Sequence, residues 1–102
     1  MPFGAGLDVF DGAGAGGRRL ALVVENFGDR AITALEVLAV EVPTGWSHRT
    51  SRPLPGEVDP RERVAGEWLV VPAETPSGRV AVAVAAVVEG VRHELGVGVA
   101  VG

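Results

Sequence analysis

The apolar residues of this chain occur in short, valine-rich stretches that glycine or proline soon ends, and this spacing limits the possible folds most strongly. The 102 residues include 15 glycines and 7 prolines. Within the stretch from Arg19 to Glu25, the apolar Leu20, Leu22 and Val24 share one parity. Alternation of this kind, with β-branched residues dominating, favours strands over helices. The sequence therefore predicts an all-β chain.

About seven short strands are expected, at a spacing of roughly ten residues. They cover residues 7–10, 19–25, 32–42, 46–50, 64–71, 80–89 and 91–101. A change of parity near Leu38 predicts a β-bulge in the third strand. The last two strands form a hairpin across Glu89-Gly90. Residues 11–18 are rich in glycine and alanine and predict a flexible connection.

The expected architecture is an immunoglobulin-like antiparallel β-sandwich, because the chain offers no helical segment to cross between parallel strands. At a prior of about 150 residues per domain, residues 1–102 form a single domain. A small closed barrel is the alternative that the same strand pattern permits.

Charge and composition restrict the partners. The chain has 13 acidic residues against 9 basic ones, all arginine, for a net charge of -4. The arginines are scattered, so no stripe for a nucleic acid is predicted. There is no cysteine, which excludes disulfides and thiolate metal sites.

The sequence also predicts a soluble chain. Its first eight residues are broken by glycine and end in an aspartate, unlike a signal peptide. The longest uncharged apolar run, Val80 to Val88, is shorter than the 18 or so residues of a membrane helix. We expect a cytoplasmic protein if the chain is complete, and an extracytoplasmic one if it is a domain of a secreted protein.

One cofactor-binding motif matches this sequence in residue identity but not in structural context. Gly12, Gly14 and Gly17 reproduce the G-x-G-x-x-G dinucleotide fingerprint. That motif binds a pyrophosphate because a helix begins at the glycines, whereas here a strand is expected to follow. The glycines are therefore interpreted as part of the connection, and no cofactor is predicted.

No catalytic or metal site is predicted either. Ser47 and His48 are adjacent, so on a strand their side chains point to opposite faces. His93 shares its parity with Leu95 and Val97, which places it at the rim of the core. An enzyme whose carboxylates assemble in a dimer cleft stays open as an alternative, without residues to support it.

The C-terminal hairpin has an unusual outward face. Its small, uncharged residues are Ala81, Ala83, Ala85, Gly96, Gly98 and Ala100. Solvated sheet faces normally carry polar side chains, so this face is predicted to associate with another domain, another protein or a second copy of the chain. The alternative is that these residues reflect a general richness in alanine and glycine.

The two tryptophans suggest an alternative function. Glu67 marks a solvated face and thereby places Trp68 toward the core, and Trp46 follows a turn and is expected to cap the sandwich. If either Trp46 or Trp68 were exposed, its ring could stack on a sugar. Weak carbohydrate binding is therefore the alternative to a structural or protein-interaction role.

Turn motifs occur in an order that resembles a known family. They are Val23-Val24-Glu25-Asn26-Phe27-Gly28, Pro43-Thr44-Gly45-Trp46, Val71-Pro72-Ala73 and Pro76-Ser77-Gly78. Together they resemble the immunoglobulin-like module associated with bacterial alpha-galactosidases, of the NPCBM-associated type. The resemblance implies a non-catalytic accessory domain of a larger bacterial protein and supplies no catalytic residue.

Overall fold

The chain folds into seven β-strands, as seen in a computed structural model that describes residues 2–10, 17–73 and 77–101. The strands are β1 (Phe3–Phe10), β2 (Arg18–Asn26), β3 (Ile32–Glu41), β4 (Ser47–Arg52), β5 (Arg63–Val71), β6 (Gly78–Val88) and β7 (Val91–Val101). No helix occurs in these described ranges. The prediction of an all-β chain with about seven strands is confirmed.

The strands form two antiparallel sheets. One has the order β1-β2-β5-β4 and the other the order β3-β6-β7. This is the arrangement of a seven-stranded immunoglobulin constant-type sandwich, with four strands facing three. The predicted immunoglobulin-like sandwich is confirmed, and the closed barrel is wrong because the strands divide between two sheets.

The core forms where the alternating apolar residues of the two sheets meet. Leu20, Leu22 and Val24 of β2 are fully buried, as is Val80 of β6. The other buried core residues include Phe3, Ile32, Val58, Trp68, Val70, Val82 and Val84. Burying a side chain of this size stabilises the fold by about 1.5–3 kcal/mol relative to leaving it exposed. Without a disulfide, this packing holds the two sheets together.

The backbone of β3 contains one irregularity that the sequence predicted and one that it did not. The register of β3 against β6 shifts between Val37 and Ala39, which confirms the bulge expected near Leu38. A further shift between Thr33 and Glu36 was not predicted.

The β6–β7 hairpin turns tightly, as expected. Its loop is Glu89 and Gly90, both at positive φ, 50° and 79°. Positive φ at both central residues is what a type I′ hairpin turn requires.

The buried side chain of Asn26 stabilises one end of the sandwich. Its Nδ2 donates to the carbonyl of Arg30 at 2.7 Å and to those of Val58 and Asp59 at 3.2 Å each. Its Oδ1 accepts from the N–H of Gly28 at 3.0 Å. One amide thus ties the end of β2 to two irregular segments.

Most of the predicted connection at 11–18 lies outside the described residues, and Arg18 belongs to β2. That the chain is a single domain stays a prediction. In the part of the chain that the structure describes, no helix offers the length and apolar surface needed to cross a membrane.

Candidate protein-interaction site

The six small residues predicted to share the outer face of the hairpin do share it. Ala81 lies opposite Gly98 and Ala83 lies opposite Gly96 in the β6–β7 ladder. The third strand extends this face, because Ala39 of β3 lies beside Ala83 on the other side. The resulting surface, which we call the hairpin face, spans all three strands of its sheet.

Ala85 differs from the prediction, because its side chain is fully buried although it lies on this outer face. Its cross-strand neighbours are Glu36 and Glu94. Arg92 pairs with the carboxylates of Glu36 at 3.4 Å and Glu94 at 3.7 Å. Ala85 therefore lies between two carboxylate-bearing neighbours at a charged border and is not part of the accessible surface.

The opposite end of the hairpin face is also bordered by charge. The guanidinium of Arg79 lies over Gly98, where an added Cβ would come within 3.0–3.3 Å of it. Glu41 lies beside Ala81 in the neighbouring strand. An open depression of about 320 Å³ lies on this face. Ala81, Ala83 and Gly96 are among the residues that line it, and Glu41 and Arg79 line it at the charged end. The hairpin face thus has an uncharged centre between charged borders.

Both tryptophans are buried, which removes the stacking surface that the carbohydrate alternative needed. Trp68 is 3% exposed and Trp46 is 7% exposed. Trp46 follows the turn at Gly45 and packs near Gly78, as its predicted capping role requires. The exposed aromatic residues in the described ranges are instead Phe10 and Phe27. Sequence alternation placed Trp68 correctly in the core.

The serine and histidine candidates are placed as expected. Ser47 and His48 are exposed neighbours on β4 and lie opposite Val71 and Val70 of β5. The ring of His93 is half-buried and contacts Phe3 edge to face, with the ring centroids 6.2 Å apart. Within the described residues, no group of three or more histidines and carboxylates is placed to hold a metal ion.

A second surface was not anticipated from the sequence. An open groove of about 550 Å³ separates β3 from β4 and is lined by residues of both strands together with Pro53, Leu54 and Trp68. Leu38 in the predicted bulge borders it and is 42% exposed. The change of parity near Leu38 was a sequence signal for the bulge that borders this groove, but the groove itself depends on how the two sheets pack.

Solved structures support the fold. No protein family matches the sequence, and no curated protein sequence does either. The GAE domain of GGA2p from Saccharomyces cerevisiae is 14% identical, covers 99% of this chain and 90% of that one, and has a TM-score of 0.80. The yeast GGA1 GAE domain is 15% identical, with coverage of 98% and 91% and a TM-score of 0.77.

A FixG-related protein from Vibrio parahaemolyticus is also similar in structure. It is 14% identical, with coverage of 99% and 95% and a TM-score of 0.55. At such identities the likeness concerns the fold, and it places this chain among immunoglobulin-like β-sandwich domains.

Proposed function

We propose that this chain is a non-catalytic structural or protein-interaction module that packs its hairpin face against another protein domain. The observation that carries the proposal is the uncharged surface of Ala81, Ala83 and Gly96 between two charged borders. Interfaces between proteins commonly combine an apolar centre with a polar rim. The likeness to GAE domains supports an appendage-like β-sandwich as the scaffold.

The size of the face favours a neighbouring domain over a stable dimer. The stretch of β6 from Arg79 to Ala85 spans about 20 Å, and three strands span about 10 Å. This area of roughly 200 Å² is well below the 800 Å² or so that each partner buries in a standard stable interface. Contacts between domains of one chain bury about 600–1,500 Å² and are more polar, so this face supplies the centre of such a contact and its charged borders supply part of the rest.

The resemblance to the module associated with bacterial alpha-galactosidases supports the same interpretation. A module of this type would be an accessory domain of a larger bacterial protein. We therefore propose that the native partner of the hairpin face is a domain of the same polypeptide or of a protein that assembles with it.

Site-specific cross-linking tests the proposal in the native polypeptide. A photoreactive amino acid is placed at exposed Gly96, and the cross-linked peptides are identified by mass spectrometry from the source cells. We expect one reproducible cross-linked segment in another domain, lost in Ala83→Glu and kept in the control Thr33→Glu. Thr33 is exposed on the same sheet, beyond the charged border.

Three other outcomes would count against this proposal. Cross-links between two copies of the chain would replace the neighbouring domain with self-association. Labelling no stronger than at exposed Asp29, in the loop between β2 and β3, would mean that the face is simply solvated. Loss of the cross-link in both glutamate variants would mean that position 83 has no special role.

A further inference from the structure

An arginine stacked on an aromatic ring lies at one end of the β1–β2 ladder, on the outer face of the four-stranded sheet. Arg19 lies opposite Phe10, and its guanidinium carbon is 5.0 Å from the centre of the Phe10 ring. The Nε of Arg19 is also 3.5 Å from a carboxylate oxygen of Glu67. The chain thus shows on this face how a ring and a carboxylate together hold a guanidinium.

The other end of the same ladder has a ring and a carboxylate with no arginine bound to them. Glu25 ends its side-chain alternation with Phe27, two positions further on, so the two face the same side about 7 Å apart. Phe27 is 55% exposed. Within the described ranges, no cation lies over the Phe27 ring and Glu25 forms no ion pair. Arg63 is the cross-strand neighbour of Glu25 on β5 but does not pair with it.

Two glycines of β1 leave an open hollow beside this pair. Gly4 lies opposite Glu25, and Gly6 lies opposite Val23. The hollow has a volume of about 310 Å³ and is lined by Gly4, Ala5, Gly6, Val23, Glu25 and Phe27. A Cβ at Gly6 would meet nothing within 4 Å, so the space above β1 is open to an incoming side chain. No basic residue lies among the described residues that line the hollow.

The ring of Phe27 is held in place at this hollow although it is exposed. The N–H of Phe27 donates to the carbonyl of Pro2 at 3.2 Å, and the N–H of Gly28 donates to Oδ1 of Asn26 at 3.0 Å. A Cβ at Gly4 would lie 2.9 Å from Cε2 of the ring, so the ring rests against the bare glycine backbone. A ring that is already positioned loses little freedom when a ligand stacks on it, which favours binding.

We propose that this hollow binds an arginine side chain of a partner protein, with its guanidinium stacked on the Phe27 ring and paired with the Glu25 carboxylate. Charge complementarity selects the occupant, because a carboxylate lines the hollow and no described cation does. Arginine fits better than lysine, because its planar guanidinium stacks on a ring and pairs with a carboxylate at the same time, as Arg19 does. The hollow and the hairpin face lie on different sheets, so the two sites are separate.

An NMR titration of the intact chain tests the proposal. The probe is acetylated and amidated Gly-Ser-Arg-Ser-Gly, and two matched peptides carry lysine or uncharged citrulline in place of the arginine. The titration is done at low salt, where exposed charge pairs are least screened. We expect saturable shifts at Gly4, Gly6, Glu25 and Phe27 with the arginine peptide, and NOEs from its δ-methylene protons to the Phe27 ring. Because exposed cation–π contacts and ion pairs are weak, the expected Kd is in the millimolar range.

Variants separate the parts of the site. Phe27→Leu removes the aromatic ring and Glu25→Gln removes the charge, and each should weaken binding of the arginine peptide about threefold or more. Gly6→Val fills the hollow and should abolish the NOEs to the Phe27 ring. Gly96→Val is the matched control on the other sheet, where a Cβ also meets nothing within 4 Å, and should leave the affinity unchanged. Arg63→Gln removes the cationic neighbour of Glu25 and should bind at least as tightly.

Several outcomes would overturn the proposal. One is the absence of a saturable shift up to about 20 mM arginine peptide. Equal binding of the citrulline peptide would mean that charge does not select the occupant, and equal binding of the lysine peptide would mean that the planar guanidinium does not matter. Shifts of the same signals when the chain alone is concentrated would make a second copy the occupant. An equal loss of affinity in Gly96→Val and Gly6→Val would show that the hollow is not the binding site.

Discussion

Replacing Asn26 with alanine should destabilise the protein by about 3 kcal/mol, although the side chain lies at the end of a strand. The substitution removes the donor to Arg30 at 2.7 Å and the acceptor for Gly28 at 3.0 Å. It also removes the donor that Val58 and Asp59 share at 3.2 Å. Three hydrogen bonds of about 1 kcal/mol each give the estimate.

The remaining bonds of these groups explain why the loss is not greater. The carbonyl of Val58 still accepts from the N–H of Ile32 at 2.9 Å, and that of Asp59 from the N–H of Glu62 at 3.1 Å. Neither carbonyl is therefore left without a partner. For a domain of this size, the loss should lower Tm by about 12–24 °C, at about 4–8 °C per kcal/mol.

Urea denaturation followed by tryptophan fluorescence measures the effect, with two further variants for comparison. Thr33→Ala removes only a long, exposed hydrogen bond of 3.4 Å to Val87 and should cost less than about 1 kcal/mol. Asn26→Asp keeps the shape of the side chain but turns a carboxyl oxygen toward three carbonyls, so at pH 7 it should destabilise at least as much as alanine. If the aspartate variant were as stable as the wild type, packing volume and not hydrogen bonding would explain the site.

Further predictions concern single positions, each checked by the free energy of unfolding in urea. Gly66→Ala should cost about 1–3 kcal/mol, because the new Cβ would lie 3.1 Å from the Cβ and 3.2 Å from the backbone N of Leu54. Gly6→Ala, also within a strand but with nothing within 4 Å, should instead stabilise by up to about 1 kcal/mol. Glu89→Asn should stabilise by less than about 1 kcal/mol, since asparagine tolerates the positive φ of 50° better. Arg92→Ala should cost less than about 1 kcal/mol, because its ion pairs are exposed; a larger loss would mean that the packing of its side chain matters more than its charge.

Sequence alternation predicted those features that depend on neighbours along one strand. It placed Leu20, Leu22 and Val24 in the core and Trp68 beside them, because side chains two positions apart face the same side of a sheet. It also placed His93 at the rim, where the ring contacts Phe3. These features follow from local periodicity alone.

Features that depend on distant segments were not predictable in this way. The amide of Asn26 reaches Val58, 32 residues along the chain, and only the turn residues after it were visible in the sequence. Buried Ala85 has as its cross-strand neighbour Glu36 of β3, almost 50 residues earlier. The groove between β3 and β4 likewise depends on how the two sheets pack. Each requires the packed structure, because periodicity carries no information about which segments meet.

The bulge at Leu38 decides which side chains β3 presents to the hairpin face and which to the groove. Val37 faces the core side of the sheet opposite Val84, and after the extra residue Ala39 faces outward beside Ala83. Without the bulge, every later residue would turn to the other face, because strand side chains alternate. Glu41 would then point into the sandwich, where burying an unpaired carboxylate is costly, and Val40 would point to solvent. The inserted residue thus keeps Ala39 on the hairpin face and Val40 on the groove, and Leu38 itself is left exposed at the border of the groove.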